Sequence, residues 1–265
     1  MSKLQSIVLS AGLVLFCLLY FGFSTKPKAI AGIESKRVVA TEITDINNLI
    51  RDVQDKLTPD QKSYLITLEK EVEGSENESN RLELLKRLSG KWFEYQQPHI
   101  AGFYAEKVAE LENTVDAWSI VGTTYAASFK QEAPQKVKDY ARSKATAAFE
   151  NAISLAPDAI QPKVNLALCY VEYPLQDNPM KGILMLVDLN KNNPDNSLVL
   201  TNLGRLAIQT RQYDKAIERL GRVVELDPKN RNANCLLAQA YGEMGNQEKT
   251  DFYLNRCKGL VKKEN

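Results

Sequence analysis

Residues 200–228 read LTNLGRLAIQTRQYDKAIERLGRVVELDP. Leu200, Leu203, Leu206 and Ala207 return at helical steps, and Ala216, Ile217, Leu220 and Val223 do so again further on. The stretch therefore reads as two helices. Gly204 lies in the middle of the first, where glycine costs roughly 1 kcal/mol relative to alanine, so it needs a packing reason to be there. Ala216 in the second helix is also small. Two antiparallel helices can approach closely where both lack bulk, with Leu200, Leu203 and Leu220 filling the space around that contact. Pro228 brings no backbone donor and turns the chain toward another unit.

The pattern recurs. Downstream, Asn234, Leu237, Ala238 and Tyr241 are followed by Gly245, Thr250, Leu254 and Cys257, which are assigned to the second helix. Upstream, Leu166, Ala167 and Tyr170 pair with Gly182, Leu186 and Leu189 and end at Pro194. Before them, Trp118, Val121, Gly122 and Tyr125 pair with Ala145, Phe149, Ala152 and Pro157. This spacing resembles the tetratricopeptide repeat, a helix pair of about 34 residues. The unit at 160–196 is about three residues longer than that length and the unit at 115–159 about eleven, so extended helices with a turn near Ala133-Pro134 are expected in the latter. The remaining units are 197–230 and 231–264, and a degenerate unit covers 82–114 through Leu85, Leu88, Ser89, Trp92, Ala101 and Val108.

The resemblance implies an all-α, right-handed helical-repeat solenoid of helix pairs. Its core positions are Trp118, Gly122, Tyr125, Ala145, Tyr170, Gly182, Leu203, Gly204, Ala216, Ala238 and Tyr241. One repeat cannot bury its own apolar face, so these residues define the fold and carry no chemistry.

Residues 38–81 form an N-terminal helical cap outside the repeats. Val39, Ile43, Ile46, Ile50, Val53 and Leu57 make one helical stripe. Thr58-Pro59-Asp60-Gln61 starts the next helix as a capping box with proline at its first position, and Tyr64, Leu65, Leu68 and Val72 line the buried face. Another helix covers 78–97, and Pro98 opens one running to about Asn113. His99, the only histidine, falls in that first turn with no Ser, Cys or second His nearby, and reads as a capping or surface residue.

The segment 1–23 is a membrane anchor. Leu4–Phe23 carries no charge, and twenty helical residues span roughly 30 Å, the thickness of the hydrocarbon core. A cleaved signal peptide is the competing reading, with Ala29-Ile30-Ala31 as the cleavage site. Against it stand the length of the apolar run and the intervening Lys26 and Lys28. Residues 24–37 are a basic linker, and the excess of Lys and Arg after the span favours a cytoplasmic repeat domain on the cell membrane. Cys17, Cys169, Cys235 and Cys257 form no CxxC pair and read as free thiols. Cys235 and Cys257 occupy helix ends that lie side by side in a two-helix repeat, and in the cytoplasm they are expected to stay reduced. With the domain on the extracytoplasmic, oxidising side, the alternative is a disulfide between them where the geometry allows it.

A net charge of +1 gives no support for nucleic-acid binding. The chain holds no GxxxxGK[ST], HExxH or GxSxG, and no strand precedes a GxGxxG, so neither enzyme, cofactor nor metal is expected. Lys136, Lys138, Arg142 and Lys144 in the long unit read as a solvated helix face.

In the family that the repeats resemble, partners bind the concave surface made by the first helices. Carried onto this chain, that surface holds Ser119, Thr123, Asn165, Leu168, Glu172, Thr201, Asn202, Arg205, Gln209, Gln239 and Glu243. Asn165, Asn202 and Arg205 suit a carboxylate clamp in type, but the Lys residues that complete such a clamp in the family are missing. The expected function is a membrane-tethered adaptor that binds a protein or peptide. The alternative is a permanently docked subunit of an envelope or secretion complex.

Overall fold

The computed structural model describes residues 46–259, and two compact units divide between Lys62 and Ser63. The anchor, the linker, Val39, Ile43 and Cys17 lie outside the described residues. In the first unit residues 46–54 are helical. The capping box at the start of α1 (Pro59–Gly74) is formed, with Thr58 N–H donating to Gln61 Oε1 at 3.0 Å and Gln61 N–H to Thr58 Oγ1 at 3.3 Å.

From Ser63 onward the described residues are helical with no strand. Five helix pairs follow α1: α2 (Glu78–Glu94) with α3 (Pro98–Glu112), α4 (Val115–Ala126) with α5 (Gln135–Leu155), α6 (Ile160–Glu172) with α7 (Lys181–Asn192), α8 (Ser197–Gln209) with α9 (Tyr213–Leu226), and α10 (Arg231–Glu243) with α11 (Gln247–Gly259). Each helix packs on its partner and on the helix that follows, and α4, α6, α8 and α10 adjoin in a row. Asparagine side chains start four of these helices: Asn77, Asn196, Asn230 and Asn246 each accept from an amide three residues on.

The small residues lie at the helix contacts. A Cβ on Gly204 would come within 2.6 Å of Leu220 Cγ, and one on Gly122 within 2.4 Å of the Phe149 ring. One on Gly182 would meet the Ala167 carbonyl oxygen at 2.4 Å, so there two backbones are in contact. The degenerate unit follows the same plan with a polar variation, Ser89 Oγ donating to the Ala101 carbonyl at 2.9 Å. Of the expected core residues, Trp118 and Tyr241 are half-buried and the others are buried. Tyr241 stacks on Tyr253 with ring centroids 5.6 Å apart.

The long unit extends its second helix as expected, whereas its first has only 12 residues and is continued by a 3-10 turn. The 3-10 turn Ala127–Lys130 prolongs α4, and α5 has 21 residues. Of its four basic residues Lys136 is exposed, but Arg142 and Lys144 do not form a solvated face. Arg142 lies over the Tyr173 ring at 5.1 Å and donates to the Pro174 carbonyl at 3.3 Å, while Lys144 pairs with Glu106 at 3.2 Å. They tie α5 to the units on either side, because a helix this long reaches past its own partner.

Four further expectations are corrected. Tyr64 is exposed; its hydroxyl accepts from Arg87 at 3.1 Å, and Leu65 and Leu68 alone are buried on α1. Gly245 lies in the turn between α10 and α11 at φ +73°, a left-handed conformation that glycine adopts without steric cost. Cys235 and Cys257 are joined in a disulfide, because the start of α10 and the end of α11 lie side by side, with Cα atoms 5.0 Å apart. His99 is only 6% exposed, since α3 packs against both α2 and α4 and its first turn is interior. Its Nδ1 has no hydrogen-bond partner among the described residues, and burial pushes its pKa down to about 4.

Gly204→Leu should destabilise the fold by roughly 2–4 kcal/mol through overpacking against Leu220. By the same geometry Gly182→Ala should lower the melting temperature more than Gly242→Ala, whose new methyl would meet Thr250 only at 3.7 Å. Thermal melts of the three variants check both statements. Because the His99 pKa is lowered on folding, the unfolded chain takes up the proton first as pH falls from about 6.5 to about 4. Stability should fall across that window by up to about 3 kcal/mol, and His99→Leu should remove that part of the pH dependence in denaturant titrations.

Candidate binding surface

The row of first helices presents the residues that the repeat alignment selects, but many of their polar groups are already engaged. Thr123 is exposed, yet its hydroxyl bonds the carbonyls of Ser119 and Ile120 at 3.0 Å each. Asn202 Nδ2 donates to the Leu198 carbonyl at 2.9 Å, and Asn165 Oδ1 accepts from Gln161 at 2.9 Å. Thr201 is buried, and Glu243 accepts from the Tyr213 hydroxyl at 3.2 Å, tying α9 to α10. Leu168 is half-buried and packs against the cluster of Val164, Ala167 and Leu186. Ser119 is half-buried, and Glu172, Gln209 and Gln239 are exposed. Arg205 is half-buried and has no hydrogen-bond or ion-pair partner among the described residues. A carboxylate clamp would thus draw on Arg205, while the Asn202 amide donates within its own helix.

An apolar groove of about 440 Å³ opens further toward the N-terminus, between α2, α3 and α4. Ala105 and Val108 are its buried floor. Phe93 and Ile120 line it while remaining 49% and 58% exposed. Lys86 and Glu112 pair at its edge at 2.5 Å. Gly90 lines it too, and a Cβ there would meet nothing within 4 Å, so the missing side chain leaves the groove open.

None of these groove residues was selected from the sequence as a binding residue. The signal was present: Lys86 and Gly90 hold, in the degenerate unit, the places that Thr201 and Arg205 hold in the unit at 197–230. That unit matches the repeat pattern weakly, and its surface positions were not carried over.

A second groove, about 720 Å³, lies between α7 and α9 and is lined by Asn190, Ile217, Arg219, Arg222 and Glu225 among others. Its central charge is satisfied locally. Arg222 holds both carboxylate oxygens of Asp195, at 2.8 and 2.9 Å, as well as Glu225 at 3.1 Å. These carboxylates push the Arg222 guanidinium pKa above its usual value, and Arg222 in turn lowers that of Asp195.

Residues 204–245, from the middle of α8 to the turn after α10, match the sequence family described as TPR repeat. Over these residues the chain carries tetratricopeptide repeat sequence. Among solved structures, MamA from Desulfovibrio magneticus RS-1 is 16% identical at a TM-score of 0.43, over 69% of this chain and 97% of that one. MamA AMB-1 is 21% identical at a TM-score of 0.39, over 71% and 96%. YrrB, described as a TPR protein with an unusual peptide-binding site, is 17% identical at a TM-score of 0.39, over 68% and 87%. Among curated proteins none matches the chain. Within the tetratricopeptide plan, the apolar groove falls on the first helix of the degenerate unit and that of the unit after it.

Phe93 and Ile120 are half-exposed, so little packing is lost when they are replaced. Phe93→Asp and Ile120→Asp should each change stability by less than about 1 kcal/mol, measured by denaturant unfolding.

Proposed function

We propose that this chain is a membrane-tethered adaptor that binds a protein or peptide partner through the first helices of its repeats. The observation that carries the reading is the open groove at α2–α4. Two large apolar side chains, Phe93 and Ile120, stay exposed there over an apolar floor, with an ion pair at the edge. Covering such a patch contributes about 25 cal/mol per Å² of apolar surface removed from water, and an apolar centre with a charged rim suits protein recognition. The partner that fits is an amphipathic segment with an apolar side chain for the groove. Arg205 on α8 offers such a partner a second, charged contact point.

The tether is assigned to Leu4–Phe23 on its length and lack of charge. Among the described residues, no helix is long and apolar enough to cross a membrane. The reading assigns no catalysis to the chain, no cofactor and no nucleic acid. The alternative, a permanently docked subunit of an envelope or secretion complex, uses the same surface and differs in stoichiometry.

Affinity purification of the full chain in mild detergent, compared with the Phe93→Asp/Ile120→Asp double variant, tests the proposal. The wild type should recover partners at substoichiometric levels, and the double variant should lose most of them while melting at the wild-type temperature. Retention of the same partners by the double variant would remove the groove from the function. One stoichiometric complex would favour the docked subunit.

A further inference from the structure

We infer that the Cys235–Cys257 bridge is the lock that holds α11 on the repeat array, and that the repeats therefore work in an oxidising compartment rather than in the cytoplasm. The buried apolar layer under α11 is thin, although its contact with α10 is as extensive as that within the other pairs. Its substantial helix contact among the described residues is with α10. The preceding second helix, α9, buries Ala216, Leu220 and Val223, whereas α11 buries Cys257 alone. One repeat period after Ala216 and Leu220 stand Thr250 and Leu254, both only half-buried, and Phe252 is 53% exposed. At Gly242 a Cβ would meet Thr250 at an ordinary contact distance of 3.7 Å, so no close approach of the kind seen at Gly204 is needed there. What the apolar layer does not supply is concentrated at one end of the helix. There Cys257 is bonded to Cys235, and Arg256 Nη2 donates to the Pro228 carbonyl at 2.7 Å.

The two cysteines replace Thr201 and Val223 of the preceding unit, so this covalent link is peculiar to the last described pair. The Cα separation of 5.0 Å lies within the range of roughly 4.4–6.8 Å that a disulfide requires. Disulfides form and persist in oxidising compartments and are rare where thiols are kept reduced. The remaining described cysteine does not compete for the pairing. Cys169 is buried, and burial pushes its thiol pKa up to about 12, which leaves it inert.

Closure needs an external oxidant of the disulfide class. Cys235 is the more accessible of the pair. Its thiolate attacks the oxidant's disulfide, forming a mixed disulfide and releasing one thiolate. The Cys257 thiolate then displaces the second sulfur of the oxidant and forms the bridge. Two protons and two electrons leave the chain, and the oxidant ends as two thiols.

Two measurements on the full chain in its own cells test this. In the first, free thiols are blocked with N-ethylmaleimide before lysis and the digest is mapped without reduction. Recovery of Cys235 and Cys257 in one linked peptide pair is expected, and recovery of both as alkylated peptides would overturn the inference. In the second, Lys191→Cys, on an exposed position of α7, is probed in intact cells with a membrane-impermeant maleimide. Labelling without lysis is expected, and labelling only after lysis would overturn the compartment. The lock itself is read by amide hydrogen exchange on the purified chain. Reductant, or the Cys235→Ser/Cys257→Ser double variant, should speed exchange in α11 at least tenfold while α8 and α9 stay protected. Unchanged exchange in α11 would show that packing alone holds the helix.

Discussion

Helix pairs in this chain are held at the distance set by residues that have almost no side chain. Gly122, Gly182 and Gly204 let a ring, a backbone or a leucine occupy the space that a Cβ would take. Each glycine weakens its own helix, and the close contact offsets that cost by bringing two apolar faces within dispersion range. The buried clusters follow from this spacing. One gathers Val121, Tyr125, Ala145 and Phe149, a second Val164, Leu186 and Leu203, and a third Leu200, Leu220 and Leu237. Each cluster includes residues from more than one unit, so a pair is completed by its neighbour.

Polar contacts adapt that plan where the units depart from it. The long α5 leaves side chains beyond the reach of its partner, and Arg142 and Lys144 use them to hold neighbouring units. Glu106 receives both Lys144 and the hydroxyl of Tyr125, so one carboxylate joins α3, α4 and α5. That carboxylate, Tyr140 and above all burial drive the Tyr125 hydroxyl pKa far up, and the phenol stays a neutral donor. At the Pro228 turn, the buried Asn234 amide and Arg256 both donate to the Pro228 carbonyl. Asn234, which the repeat pattern places among the apolar positions, is there a brace for the turn between units.

Departures from the pattern also create the surface available to a partner. Where the units match well, the polar groups of the first helices bond within their own helices, as in Thr123 and Asn202. Where the match is weak, Gly90 and the exposed Phe93 leave a groove. The degenerate unit is thus regular in its core, where Ser89 meets Ala101, and irregular on its face. Core spacing is constrained by packing on both sides, and the outer positions are free to vary.

The sequence by itself determined the helix pairs, most of their small-residue contacts, the turn at Ala133-Pro134, the capping box at Thr58 and most of the core. All of these depend on local periodicity or on residue size, which can be read along one chain. The tertiary structure alone decided which outward residues remain available. His99 turned inward because α3 is covered on two sides, and Arg142 was taken up by the next unit. The Phe93–Ile120 groove depends on the facing of three helices, and the Cys235–Cys257 link depends on how closely two helix ends meet. Repeat spacing specifies the distance between neighbours in a pair, but the environment of an outward side chain is set by elements that the spacing does not describe.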